Sequence, residues 1–545
     1  MLRGRQRLTL ASVLKAVAAD FRDGRPSVVA VIAAHPGRLA ELRVERLRSQ
    51  GVRVLELVGL DVDAMHRELS AYSGDGMVVV DARPSFGRAQ LRAFRQLFLH
   101  LDADDVWVAL RSPRVPEGKQ ERLVALARRF EASGDGRLPR RWRELDRAVR
   151  EVRVTPGQVM LEKSCSHLLK IRDDGATDLL NVREPGLQVS ELKTLPAGTL
   201  VASGAMTDYP SAPSTPFPTE LSYPEARLRR YDGRVSLPAA SVALHGRSIL
   251  PDSFRWHLVR HPVNRGVRDI DERFAGPRPD PPGEHLGGAH YFFGYNNPGH
   301  FGHLMTEALA KLWGWDTAKA EDPDLKLLCR EHPLKPGTAD ERLEHLLLTA
   351  YDIEPDDVVW ATGPVTVDRL YGVTPLWHNA PPYYVHPALR DDWRRLREGL
   401  PEVTVPPAPK IFVTRRRGNR RCHNSDAVET LFSQHGFVIV QPELLSIPEQ
   451  AAVFAQARVV AGFGGSGMFN LLYDEALETV IVLNQSAYWG RSEHLFASLL
   501  GADTHFFWSD PDDGHPEGSY EAHQSPWEFD FGRHDEPLTR LLSTV

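Results

Sequence analysis

Three cysteines in 545 residues are few, and no two stand as C-x-x-C. Cys165, Cys329 and Cys422 are far apart and odd in number, which excludes a disulfide framework and a cysteine zinc site of ordinary spacing. A reducing cytoplasm is the expected setting. Excess charge is lacking too. The formal net charge is −6, against the strongly basic balance that general nucleic-acid binding needs. No apolar run approaches the ~20 residues of a spanning helix. The N-terminus "MLRGRQRLTLASVLKAVAADF" is basic and then apolar, but Lys15 and Asp20 interrupt the apolar part. It reads as an amphipathic helix rather than a signal peptide, and it leaves room for peripheral membrane contact. No internal repeat is present.

What is present is a long α/β chain, 42% hydrophobic and 25% charged, enough for about three domains. Short apolar strands alternate with helical stretches in residues 1–112: "SVVAVIAA" (27–34), a helix over 38–51, "VRVLELV" (52–58), "GMVVVDA" (76–82) and "DVWVALR" (105–111). That alternation predicts a Rossmann-like unit with a parallel sheet. It has no Gly-rich phosphate loop after its first strand, so a structural or recognition role is expected of it. Residues 113–235 read as a connector: Arg and Glu at helical spacing over 114–150, then a Pro-rich linker over 205–224 with five prolines. Two more α/β units come after it, 236–404 and 405–545. The last is the clearest, with strands expected at 410–414, 437–440, 458–461, 479–483 and 503–508 and helices between them. Paired units of this kind bind ligands at the carboxyl ends of their strands.

Three motifs stand out. "VVAGFGGSGMFNLL" holds G-x-G-x-x-G in Gly462, Gly464 and Gly467, with a helix expected over 468–477. Such a loop serves a dinucleotide, another phosphate-bearing ligand, or only a tight turn. The acidic residue that a dinucleotide ribose needs is absent, since Asn484 follows the next strand. "KIFVTRRRGNRRCHNSD" leaves a strand and sets Arg415, Arg416, Arg417, Arg420 and Arg421 within seven positions, before a helix with an N-cap at Asn424 or Ser425. Guanidinium forks match phosphate oxygens, although most charge runs are solvated loops. "YFFGYNNPGHFGHLMTEALAKLWGW" places His303 and Glu307 four apart on an expected helix over 302–313, with His300 a turn earlier. These are polar groups at a helix start, metal ligands, or a base with its orienting partner. The turn at Asn296 and Asn297 before them is where a ligand could approach.

Together these segments, about residues 235–510, resemble glycosyltransferase family 61, which includes capsular-polysaccharide-type enzymes, plant xylosyltransferases and O-linked GlcNAc transferases. "GHFGHLMTEALAKLW" is similar to the family's Gly-His-x-x-x-(Asp/Glu) helix. The arginine block, "GFVIVQPE", "QAAVFAQA" and the glycine loop come next, in the family's order. The loop departs by Gly464 where the family has His and by Ser466 where it has Ala, and Thr414 stands for the Ser before the motif arginine. The resemblance implies a GT-B pair of facing Rossmann-like domains, beside the additional N-terminal α/β domain read from the strand pattern. It implies an inverting, metal-independent transfer, with no cofactor, from a nucleotide-sugar, usually a UDP-sugar, to a glycan, lipid-linked or small-molecule hydroxyl acceptor. His303 and Glu307 would be catalytic. Arg415, Arg416, Arg420, Gly462, Gly464, Gly465, Ser466, Gly467 and Asn470 would bind the donor, and Asn296, Asn297 and His300 would face the acceptor. No Asp-x-Asp stands at a strand end in the motif region, in keeping with metal independence. The alternative is a catalytically degenerate GT-B fold that binds glycan or a partner, a reading that Gly464 keeps open.

Overall fold

The computed structural model describes Val13 and residues 26–72, 76–83, 88–110, 140–155, 157–202, 204, 206–208, 217–239, 241–276, 283–331, 342–416, 418–512, 516 and 518–545. The helices expected over 1–21 and much of 114–150, most of the Pro-rich stretch and Arg417 lie outside the described residues. The chain is a mixed α/β structure built on three large sheets. Among the described residues, no helix is long and apolar enough to cross a membrane.

The first sheet runs in the order β2-β1-β3-β4-β6-β5. It comprises β1 (Val28–Ala33), β2 (Arg53–Val58), β3 (Met77–Asp81), β4 (Val106–Leu110), β5 (Val149–Val154) and β6 (Gln158–Lys163). The first four are parallel, as the sequence predicts. The helix expected over 38–51 is two short helices, because Arg43 adopts φ 57° between them. The sheet also continues past residue 112 into the expected connector, where β6 joins β4 antiparallel. Charges on the exposed positions of "VREVRV" hide its strand character. The sheet is fused to the middle unit. Trp107 and Leu161 share one hydrophobic cluster with that unit's Phe274, Leu328 and Leu370.

The middle sheet is mixed and has twelve strands. Its parallel part is β8 (Ala289–Phe292), β9 (Lys326–Arg330), β10 (Val358–Ala361) and β11 (Val365–Val373). The long strand β7 (Ala226–Ala239) pairs antiparallel with β11. This unit is therefore more than a plain βαβ repeat, because chain expected as linker supplies strands to it.

The C-terminal sheet is parallel throughout. It contains β12 (Lys410–Val413), β13 (Val438–Val440), β14 (Val459–Phe463), β15 (Thr479–Gln485) and β16 (Asp503–Ser509). β14 and β15 are buried at every position, which is why they read as unbroken apolar runs. The helices α1 (Ser425–Gln434), α2 (Ile447–Ala455) and α3 (Ser492–Leu500) lie where the sequence puts them. One edge receives Met206–Asp208, parallel to β16, from the stretch expected to be pure linker. The order is β16-β15-β14-β12-β13. β12 leads to β13 on one side, and the chain then crosses back to β14 on the other. That reversal leaves a crevice at the carboxyl ends of β12 and β14, the usual ligand seat of such sheets. Arg415 comes directly after β12 and the glycine loop directly after β14.

Candidate active site

The glycine loop is shaped by what its missing side chains make room for. Gly462 lies inside β14, and a Cβ there would sit 2.6 Å from the Val413 carbonyl oxygen of β12. Gly465 adopts φ 136° and ψ −164°, a conformation reserved for glycine. A Cβ on it would lie 2.1 Å from Arg415 Nη2 and 3.1 Å from Arg420 Nη2. Two guanidinium groups therefore meet over one glycine. Neither forms an ion pair with a carboxylate among the described residues. Burial and the neighbouring Arg420 push the Arg415 guanidinium down to about 10, which leaves it a cation at neutral pH.

The loop's amides divide into two sets. Gly464 N–H donates to the Leu483 carbonyl at 3.1 Å, and Gly465 N–H donates to Glu493 Oε1 at 2.6 Å. Those of Ser466 and Gly467, which open the segment Ser466–Tyr473, have no partner among the described residues. That segment is a 3-10 helix, not the α-helix expected over 468–477. Asn470 is fully buried, and its Nδ2 donates to Gln450 Oε1 at 2.8 Å and to the Gly467 carbonyl at 3.2 Å. Its side chain holds the loop in place. At the position of the family's histidine, a Cβ on Gly464 would lie 2.2 Å from Asn484 Nδ2. Asn484 fills that space, and its Nδ2 is buried with no partner among the described residues.

The arginine block splits. Arg415 points toward the loop. Arg416 turns the other way, to Asp426 at 2.5 Å and to Glu429, which also accepts from the Thr414 hydroxyl. Arg420 joins Arg415 and lies over the Tyr488 ring at 4.7 Å. Asn424 occupies the N-cap of α1, but its side chain exchanges two 2.9 Å hydrogen bonds with the Phe529 backbone instead of capping the helix.

Across the crevice, residues 301–314 form an irregular helix: α over Phe301–His303, π over Leu304–Ala308 and 3-10 over Leu309–Gly314. Single π turns of this kind recur at functional sites. His303 Nδ1 is hydrogen-bonded to Glu307 Oε1. Because Glu307 is an acceptor, the proton sits on Nδ1 and makes Nε2 the accepting nitrogen. Nε2 faces Asn297 Nδ2 at 3.1 Å. Burial opposes charge on Glu307, but Arg255 at 2.9 Å, His303 and the Asn296 amide at 3.1 Å outweigh it and hold its carboxyl below the ordinary range. Lys311 lies close behind, pushed down to about 8 by burial. The Asn296–Gly299 turn is fixed from below, where Gly299 N–H donates to Tyr295 Oη at 2.9 Å and Glu344 Oε1 at 3.0 Å. Asn297 adopts φ 53°, and the exposed His300 ring stands 4.9 Å from His303. Among the described residues, no group of three or more His, Cys, Asp or Glu is placed to hold a metal ion.

The two sides touch. A Cβ on Gly302 would lie 3.0 Å from Ser466 Cβ and 3.4 Å from Phe469. Arg255, Asn484, Tyr488 and Glu493 belong to this site but to no motif read in the sequence. For the last three, the available signal was position, since all follow or end β15 at the carboxyl edge of the sheet. Arg255 had none.

Residues 301–482 match the family model Glycosyltransferase 61. The match spans the dyad, the arginine block and the glycine loop, and it identifies this segment as a glycosyltransferase 61 sequence. No curated protein matched the chain. Two structures of the MycE methyltransferase from the mycinamycin biosynthetic pathway align at 16% identity, one with Mg and SAH and one with Mg, SAH and mycinamycin VI. The alignment covers 30% of this chain and 55% of theirs, about half their length, with TM-scores of 0.22 and 0.21. A likeness of that size has no bearing on fold or activity.

Proposed function

We propose that the chain is an inverting glycosyltransferase of GT-B arrangement. It moves a sugar from a nucleotide-sugar, a UDP-sugar by family resemblance, to a hydroxyl of a glycan, lipid-linked or small-molecule acceptor. One observation carries the reading. Two guanidinium groups meet over Gly465 beside two amides, none of the four with a carboxylate partner among the described residues, one van der Waals contact away from a His–Glu dyad.

The chemistry comes from the two sides. The acceptor hydroxyl gives its proton to His303 Nε2 as its oxygen attacks the anomeric carbon. The bond from that carbon to the diphosphate breaks on the opposite face, and the electron pair leaves with the phosphate. Arg415, Arg420 and the Ser466 and Gly467 amides meet the charge that develops there, without requiring a metal. Glu307, ionised at neutral pH, keeps the imidazole in the accepting tautomer and stabilises the imidazolium. Arg416 has no part in donor binding, and Asn470 acts by holding the loop. Gly464 does not make the site degenerate in this reading, since Asn484 occupies the space. The three cysteines are free thiols, which suits a cytoplasmic setting.

The test is release of UDP from a panel of UDP-sugars, with and without glycan acceptors. Turnover that disappears in both Arg415→Ala and His303→Ala supports the assignment. A protein that neither binds nor releases any nucleoside diphosphate refutes it.

A further inference from the structure

Beyond the arginine pair, the crevice holds a layer of flat rings that the transfer reaction does not use. β15 ends at Gln485, and the loop after it carries Tyr488 and Trp489. His523 enters from the short helix Tyr520–Gln524. The Trp489 and His523 rings lie 3.9 Å apart and 20° from parallel, while Tyr488 and His523 are 5.1 Å apart at 17°. Trp489 N–H approaches His523 Nδ1 at 3.5 Å. Trp489 itself stays partly exposed, and Tyr520 at the rim is 62% exposed, among the few large apolar side chains left in solvent.

Arg420 joins this layer to the phosphate site. Its Nη2 is the atom beside Gly465, its guanidinium covers Tyr488, and its Nη1 stands 3.4 Å from His523 Nε2. Its Nε is buried with no partner among the described residues. Burial and the two arginines push the His523 imidazole down to about 3, so it remains a neutral ring. A stack of neutral aromatics that shares an arginine with an anion site fits a ligand with a flat heterocycle at one end and phosphate at the other.

We propose that Trp489, backed by His523, seats the heteroaromatic base of a nucleoside diphosphate, so that base stacking rather than the phosphates selects nucleotide-sugars over other phosphorylated ligands. This rests on the reading of Arg415 and Arg420 as the diphosphate site. The base takes the open face of Trp489, and its ribose lies near Arg420. Stacking of a base on one aromatic changes affinity by roughly 5- to 150-fold, whichever base it is.

The experiment is calorimetric titration of the full chain with inorganic pyrophosphate and with UDP, GDP, ADP, CDP and dTDP. The wild type should bind at least one nucleoside diphosphate more tightly than pyrophosphate. Trp489→Ala should remove most of that difference and leave pyrophosphate affinity unchanged, with thermal unfolding confirming the fold. Trp489→Phe should keep most of it. Arg415→Ala should weaken both ligand classes. If Trp489→Ala binds the nucleotide as the wild type does, or if no nucleoside diphosphate outbinds pyrophosphate, the base seat is refuted. An Arg415→Ala protein with unchanged pyrophosphate affinity would instead refute the phosphate assignment and leave the stack to be judged on the Trp489 variants.

Discussion

Gly465→Ala is the smallest change that separates a phosphate site from a tight turn. The added methyl would lie 2.1 Å from Arg415 Nη2, far inside contact distance, so Arg415 must withdraw from the loop. A charge-assisted hydrogen bond to phosphate is worth about 1.5–3 kcal/mol, which corresponds to roughly 10- to 150-fold in affinity. The backbone adds a separate cost. Alanine at φ 136° is strained by about 1–3 kcal/mol, which falls on stability rather than on ligand contacts. Both effects can be read in one series by titrating UDP into wild type, Gly465→Ala, Arg415→Ala and the double variant. If the methyl acts by displacing Arg415, the double variant binds no worse than Arg415→Ala, and the cycle is strongly non-additive. Gly464→Ala is the control, because its methyl meets Asn484 at 2.2 Å and not an arginine. Wild-type UDP affinity in Gly465→Ala, or losses that simply add, would refute the argument that these guanidinium groups hold phosphate over Gly465.

Four further outcomes are expected. His303→Ala should cut turnover by ~10²–10⁴ while UDP still binds, and Glu307→Gln should cost less, as measured by UDP release and calorimetry. Arg416→Ala should leave UDP affinity within about twofold but lower stability by about 1–3 kcal/mol, since it leaves the buried Glu429 carboxylate with only the Thr414 hydroxyl. Glu307 is held below its ordinary range, so its stabilisation is complete above the unfolded value near ~4.3 and is lost as pH falls through the lower folded value. The stability gap between wild type and Glu307→Gln, followed by denaturant unfolding, should therefore shrink as the pH falls below about 4. Gly302→Ala should lower turnover more than UDP affinity, because its methyl would press on Ser466 at 3.0 Å and shift the dyad against the loop.

Much of the donor side was legible because buried parallel strands announce themselves. β12, β14 and β15 read as apolar runs, and the residues just past a parallel strand stand at the ligand edge. The division between Arg415 and Arg416 was also within reach, since successive residues leaving a strand point to opposite faces. Composition gave no sign of it. The strands of 149–163 and 206–208 were hidden for different reasons. The first carries charges that mimic a solvated helix, and the second is a short edge segment inside a proline-rich stretch. The π turn at 304–308 depends on tertiary packing, which no local pattern encodes. Arg255 reaches Glu307 only because the middle sheet folds the two together.

The contact between Gly302 and Ser466 gives the site a further property. Leu304, Met305 and Leu309 of the irregular helix share one hydrophobic core with Met468 and Leu471 beyond the glycine loop. His303 and the Ser466 and Gly467 amides are therefore mounted on opposite sides of a continuous packed seam rather than on two bodies that must find each other. Packed interiors resist small displacements, so the separation of His303 from the loop is set by side-chain volume in that core. A single displacement needs the attacking oxygen, the anomeric carbon and the leaving phosphate in line, and an error near 1 Å costs about a hundredfold. In the proposed transfer, the seam would supply that positioning before substrate arrives. Gly302 lets the two halves approach this closely, since even a Cβ there would lie 3.0 Å from Ser466 Cβ and press it back.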